Sequence, residues 1–226
     1  MPGRDIKFVN GGIYHIFNKT IDKSRIFDDE SLTYLFLDLL KYYRSSKSVI
    51  RYSNYKKMPS DLKEFYNQQI IIRKYFFIDL YCFNIMPTHF HLLIKQNNEG
   101  GISHFMSDLI NSFTRFYNIK FDHHGSLFFK PFRAVHVRTE EQCKHVTRYI
   151  HLNRYSSGLV KIIGDIFIRP DSSLPRYSSI DKDDLIEKKF MLSLFGNDIL
   201  RYKKFILDQA DYQRSLERLK YIKKWL

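Results

Sequence analysis

The sequence predicts an α+β fold: a ferredoxin-like split βαβ antiparallel sheet covered by helices, with a basic helical C-terminal extension. Three observations carry this. Segments of strand-like composition alternate with segments of 3.6-residue apolar period, in the order β, α, β, β, α, β, α. The second and third strand segments are parted only by the short break at Pro87, which makes them antiparallel neighbours. A chain of 226 residues, 44% hydrophobic and 27% charged, is long and apolar enough to bury a sizeable core.

The first strand falls within residues 8–20, where Ile13-Tyr14-His15-Ile16-Phe17-Asn18 follows Gly11-Gly12 and alternates weakly. Asp28-Asp29-Glu30-Ser31 then stands ahead of an apolar-periodic run, a helix start signal, and this helix reaches about Tyr43. Residues 44–57 hold five Lys/Arg and no acid; they read as a mobile basic connection, either plain solvated surface or a phosphate-gripping loop. Residues 60–73 suit a short helix. Residues 75–86 are aromatic and β-prone and give the second strand; Pro87 breaks it, and residues 89–95 give the third.

From Ile102 the apolar positions Phe105, Met106, Leu109, Ile110, Phe113 and Phe116 recur at helical spacing, which predicts a long amphipathic helix to Phe121. Strand material interrupted by Pro131 covers residues 127–137. Thr139-Glu140-Glu141 opens a further helix to about Asn153, since Thr caps well and acids suit a helix N-terminus. Residues 165–180 are rich in Pro and Ser and read as irregular. From about Lys182 the tail reads as helical, and residues 201–226 carry eight Lys/Arg against three acids.

Charge narrows the function. There are 37 Lys+Arg against 24 Asp+Glu, a net +13, and 16% of residues are aromatic. A basic, aromatic-rich chain points to a polyanion partner, nucleic acid first. No apolar run approaches the roughly 18 residues of a membrane span, and no apolar stretch follows the N-terminus, so neither a membrane role nor secretion is expected. Two distant cysteines, Cys82 and Cys143, exclude a disulfide framework and a four-Cys zinc site and fit a reducing cytoplasm. Walker-type, dinucleotide-binding, His-Glu-x-x-His and Gly-x-Ser-x-Gly motifs are absent.

Two constellations carry chemistry. His89-Phe90-His91 lies in a predicted strand, so both imidazoles project from one face while Phe90, Leu92 and Ile94 turn to the other. Such a pair can ligate a divalent ion given a third donor, and can equally be two surface histidines. On the later helix, Tyr149 and Asn153 stand one turn apart, with Cys143, Val146 and Ile150 forming the adjacent packing face. A Tyr hydroxyl can serve as a covalent nucleophile or simply pack. Tyr117 also lies beside an Asn and is a rival nucleophile.

Several stretches resemble, in order, the HUH single-strand tyrosine transposases, and among them the REP-associated branch. Met86-Pro87-Thr88-His89-Phe90-His91-Leu92-Leu93-Ile94 is similar to the family's Met-Pro-Asn-His-hydrophobe-His-Leu-Leu signature. Tyr14-His15-Ile16-Phe17-Asn18-Lys19 resembles its first strand. The stretches from Ser112 to Asn118 and from Gly125 to Arg133 resemble its Tyr-Thr-x-x-Phe-Asn and Gly-x-Leu-Phe segments. Arg148-Tyr149-Ile150-His151-Leu152-Asn153 resembles its tyrosine helix, Ser156 to Leu159 the stretch that follows it, and Tyr177-Ser178-Ser179 its Tyr-Ser-Ser. The likeness spans roughly residues 8–180. It departs where Arg154 replaces the usual Pro, and around Phe129-Lys130-Pro131.

The resemblance implies a catalytic domain over 1–180 and a helical basic extension over 181–226. It implies Tyr149 as nucleophile, and Mg²⁺ or Mn²⁺ held by His89, His91 and Asn153. The implied product is a 5′-phosphotyrosine on single-stranded or hairpin DNA, in a bacterial cytoplasm and at the nucleoid during reaction. Expected DNA contacts are Arg44, Lys47, Arg51, Lys56, Lys57, Arg115, Lys130, Arg133 and Arg148. Dimers and monomers both occur in the family, which leaves a homodimer open. A domesticated hairpin-binding protein without turnover is the alternative reading.

Overall fold

The computed structural model describes residues 6–178 and 185–215. Strand β1 (Ile13–Lys19) leads through two short 3₁₀ turns to helix α1 (Glu30–Tyr43). Helices α2 (Tyr52–Lys56) and α3 (Ser60–Ile70) precede the hairpin of β2 (Ile78–Met86) and β3 (His89–Gln96). Then come α4 (Gly101–Phe121), β4 (Arg133–Val137) and α5 (Glu140–Ser156). The short helices α6 (Leu174–Ser178), α7 (Lys188–Ser193) and α8 (Ile199–Leu207) follow. The strands form one antiparallel sheet in the order β2-β3-β1-β4, the split βαβ arrangement expected from sequence.

Both faces of the sheet are covered. On one face Phe90 meets Phe36 of α1 at 4.9 Å, and Phe36 meets Phe113 of α4 at 5.4 Å. Phe27 and Phe128 close this cluster, and such ring pairs add about 0.5–1.5 kcal/mol each beyond area burial. The opposite face, which carries the histidines, is covered by α5. There Asn84 Nδ2 of β2 donates to the Ile150 carbonyl at 2.7 Å, and Cys82 packs against Thr147. The histidines therefore point into a helix–sheet seam rather than off a bare strand.

Local signals act as expected at both main helix starts. The Asp29 carboxylate accepts from the Ser31 amide, and the Thr139 hydroxyl accepts from the Gln142 amide.

Three expectations are corrected. Residues 44–57 are not a loose connection: Ser45 bridges to Phe76, and α2 forms within the segment. Tyr42, Tyr52 and Tyr55 pack ring on ring at 4.8–5.8 Å, and the hydroxyls of Tyr42 and Tyr52 bond to the Ile50 carbonyl and Asp38. The tyrosines, not the charges, decide the conformation. Residues 165–180 are more regular than expected, holding a 3₁₀ turn at Ile163–Phe167 and then α6. The tail is broken into α7 and α8 at Gly196 and Asn197, whose φ of 68° and 58° end a helix.

The C-terminal helices share the main core. Met191, Tyr202, Ile206 and Ala210 are buried, and Met191 Sδ lies 3.7 Å from Cys143 Sγ of α5. Residues 179–184 and 216–226, including part of the basic tail and Ser179 of the Tyr-Ser-Ser stretch, lie outside the described residues.

Candidate active site

β3 places His89 and His91 on the α5 face, as the two-residue strand period requires. β1 adds a third imidazole: His15 pairs with Leu93 in register, so it stands diagonal to His91 on the same face. His15 Nε2 lies 2.9 Å from His91 Nδ1. Thr88 Oγ1 lies 3.0 Å from His89 Nδ1.

The helix supplies the rest. Tyr149 and Asn153 of α5 face the sheet one turn apart. The Tyr149 ring meets His91 edge-on at 5.6 Å between centroids and His15 at 6.0 Å. Asn153 Nδ2 lies 3.2 Å from His91 Nε2. Tyr149, the histidines and the Asn153 amide thus converge within one chain.

Burial sets the protonation. It lowers His15 and His89 to about 4 and His91 well below its ordinary value; neighbouring Lys19 and Arg154 add to the effect at His89. All three rings are neutral at physiological pH, the form that can ligate a metal. Among the described residues no cluster of three His, Cys, Asp or Glu is placed to hold an ion. An ion here depends on the Asn153 amide oxygen as third donor, so the available set is two neutral imidazole nitrogens and one amide oxygen. That set fits a divalent ion whose remaining positions take phosphate oxygen or water, and imidazole suits Mn²⁺ better than Mg²⁺.

The basic residues divide. Lys47, Arg51, Lys56 and Lys57 are exposed around α2, with the Lys47 ammonium 4.4 Å above the Tyr75 ring. Arg115 is exposed on α4, and Lys130 is exposed just before β4. Arg133 is exposed and borders the site: it and His91 both pair with Phe17 across the sheet. Two expected contacts are corrected. Arg44 is buried at 3% exposure, its guanidinium stacked 4.2 Å over Phe76 and donating to the Leu185 carbonyl. Arg148 turns away from the site; its guanidinium lies 4.1 Å over Phe205 and donates to that residue's carbonyl. The rival Tyr117 lies on α4, across the sheet from the histidines, against Phe121 and His123.

Sequence reasoning missed residues that hold this geometry. His15 was read only as a member of the first strand, with no part in the site. Arg154, which stands where the resembled family has Pro, is buried, pairs with Asp171 at 2.8 Å and donates to the Ile85 carbonyl. His151, between Tyr149 and Asn153, is buried and bonded to Ser173 Oγ at 2.9 Å and Tyr202 Oη at 3.0 Å. These contacts span 17 to 69 residues of sequence, beyond any local pattern.

Among the described residues no helix is long and apolar enough to cross a membrane. No curated protein matches the chain. A solved structure described as a REP-associated tyrosine transposase bound to a REP hairpin shares the fold, with a TM-score of 0.52 and 14% identity over 78% of this chain and 84% of that one. The transposase IS200-like family matches residues 49–153, from the turn before α2 to Asn153. That stretch carries both histidines, Tyr149 and Asn153, and over it the chain is similar to the IS200-like transposases.

Proposed function

We propose that this protein is a transposase that cuts and rejoins single-stranded DNA beside a hairpin, with Tyr149 as nucleophile and a divalent ion, Mg²⁺ or Mn²⁺, at His89, His91 and Asn153. The observation that carries this is the seating of the Tyr149 ring against His91 and His15 of its own chain. The Tyr149 oxygen forms a bond to the scissile phosphorus as the bond to the 3′ oxygen breaks. The DNA 5′ end remains as a phosphotyrosine, and the freed 3′ oxygen takes a proton. One phosphoester replaces another, so attack by a 3′-hydroxyl reverses the step without an energy source. A divalent ion bound there supplies Lewis acidity and neutralises charge on the phosphate. Exposed Lys47, Arg51, Lys56, Lys57, Arg115, Lys130 and Arg133 suit phosphate contact. The fold neighbour's hairpin supports hairpin DNA as the substrate form.

The test is a covalent adduct on a denaturing gel, with labelled hairpin-bearing single strands from the flanks of the gene. A slow band is expected with Mn²⁺, lost with EDTA or in Tyr149→Phe, and kept in Tyr117→Phe. A band that survives Tyr149→Phe refutes the assignment of the nucleophile. A hairpin gel shift with no adduct in the unaltered protein favours a binding protein without turnover.

A further inference from the structure

His15 lies outside the family-matched stretch, yet it touches both halves of the site. Its Nε2 is 2.9 Å from His91 Nδ1, and its ring abuts Tyr149. Both imidazoles are buried, at 9% and 5% exposure. A neutral imidazole has one N–H and one bare nitrogen, and two ring nitrogens at this distance share one proton. Where His15 accepts, His91 is protonated at Nδ1 and its Nε2 is a bare lone pair. Where His15 donates, the His91 proton sits on Nε2 and closes that nitrogen to a metal. His91 Nε2 lies 3.2 Å from the Asn153 amide, so the nitrogen that the first arrangement leaves bare is the one beside the third donor.

We infer that His15 is a positioning residue: by accepting from His91 Nδ1, it fixes the tautomer that turns the His91 Nε2 lone pair toward Asn153, ready for a divalent ion. The inference rests on the metal site proposed above. It gives β1 a part in the chemistry that the matched stretch omits. The same ring that sets the His91 tautomer also bears on Tyr149, so ligand and nucleophile share one support.

Calorimetric titration of Mn²⁺ into the full chain without DNA reads this independently of turnover, with thermal melts to follow folding. His15→Phe keeps a planar ring and removes the acceptor; Mn²⁺ affinity is expected to fall about 10–100-fold. His15→Gln, whose amide oxygen can stand in for Nε2, is expected to bind close to the unaltered protein. A purely structural role would lower the melting temperature without this selective recovery. Unchanged affinity in His15→Phe, or an equal loss in both variants, overturns the inference alone. No Mn²⁺ binding by the unaltered protein overturns the metal reading and the inference with it. Should His15→Phe fail to fold, long-range proton–nitrogen spectra of the unaltered protein read the tautomer: a proton on His91 Nδ1 supports the inference, and one on Nε2 overturns it.

Discussion

The histidine pair and the tyrosine meet at one seam but are held there by different means. His89 and His91 lie on β3, with β1 and β2 paired along its two sides. Their direction follows from strand alternation and from register with immediate neighbours. Tyr149 and Asn153 ride on α5, and the rotation of that helix is set from a distance. Tyr202 of α8 bonds His151, Phe205 of α8 holds Arg148, and Gln213 donates to the Tyr149 carbonyl. Tyr155 donates to Asp211, and Asp171 pairs with Arg154 at the far end of the helix. The histidine side is a property of the sheet. The tyrosine side is a property of the sheet, α5 and the C-terminal residues together, which act as a brace behind Tyr149. The proposed phosphoryl transfer would need both halves placed to a fraction of an ångström, so under that reading a residue of α8 governs attack without nearing the DNA.

Removing the counter-charge at the end of α5 breaks this arrangement hardest. Asp171→Asn leaves the buried Arg154 with the Ile85 carbonyl but without its counter-charge and is expected to cost about 3–5 kcal/mol, read as a lowered urea midpoint. A cost near zero would show that Arg154 finds water or another acid, and that α5 is not pinned there.

Tyr202→Phe sharpens the contrast. Loss of the hydroxyl leaves His151 Nδ1 without this bond in a buried setting, an expected cost of about 1–3 kcal/mol. Amide exchange is expected to quicken along α5 while β3 keeps its protection. Equal quickening in β3 would mean that sheet and helix open as one unit, and the contrast would fall.

Thr139→Ala acts least, removing the cap of α5 at the end away from Asn153, with an expected cost of about 1 kcal/mol. Thr139→Ser should recover most of it in the same melting experiment. Little change in adduct yield is expected, since the brace acts on the C-terminal half of the helix.

Much of the site was legible because its spacings are local. Two residues in a strand and four in a helix fix which side chains share a face, so the pairs His89/His91 and Tyr149/Asn153 could be read directly. The basic residues were legible as charge but not as placement. Arg44 sits in the same Lys/Arg-rich stretch as Lys47 and Arg51, yet it runs beneath Phe76 while they remain in solvent. Arg148 is one residue from Tyr149, but one residue is about 100° of helix rotation, which delivers it to Phe205. Residues 44–57 were read by their charges alone, and the packing of Tyr52 and Tyr55 on Tyr42 was missed.

By itself the sequence determined the strand and helix periods, the order of the elements, the net +13 charge and the same-face pairs of the site. Each of these follows from geometry repeated every two or 3.6 residues, or from composition. Only the tertiary structure decided that β1 sets His15 against His91, that α5 closes over the histidine face, and that α8 holds the tyrosine helix. Those choices depend on which distant surfaces bury one another, and local periodicity fixes the phase of a side chain along its element but not the neighbour that it meets.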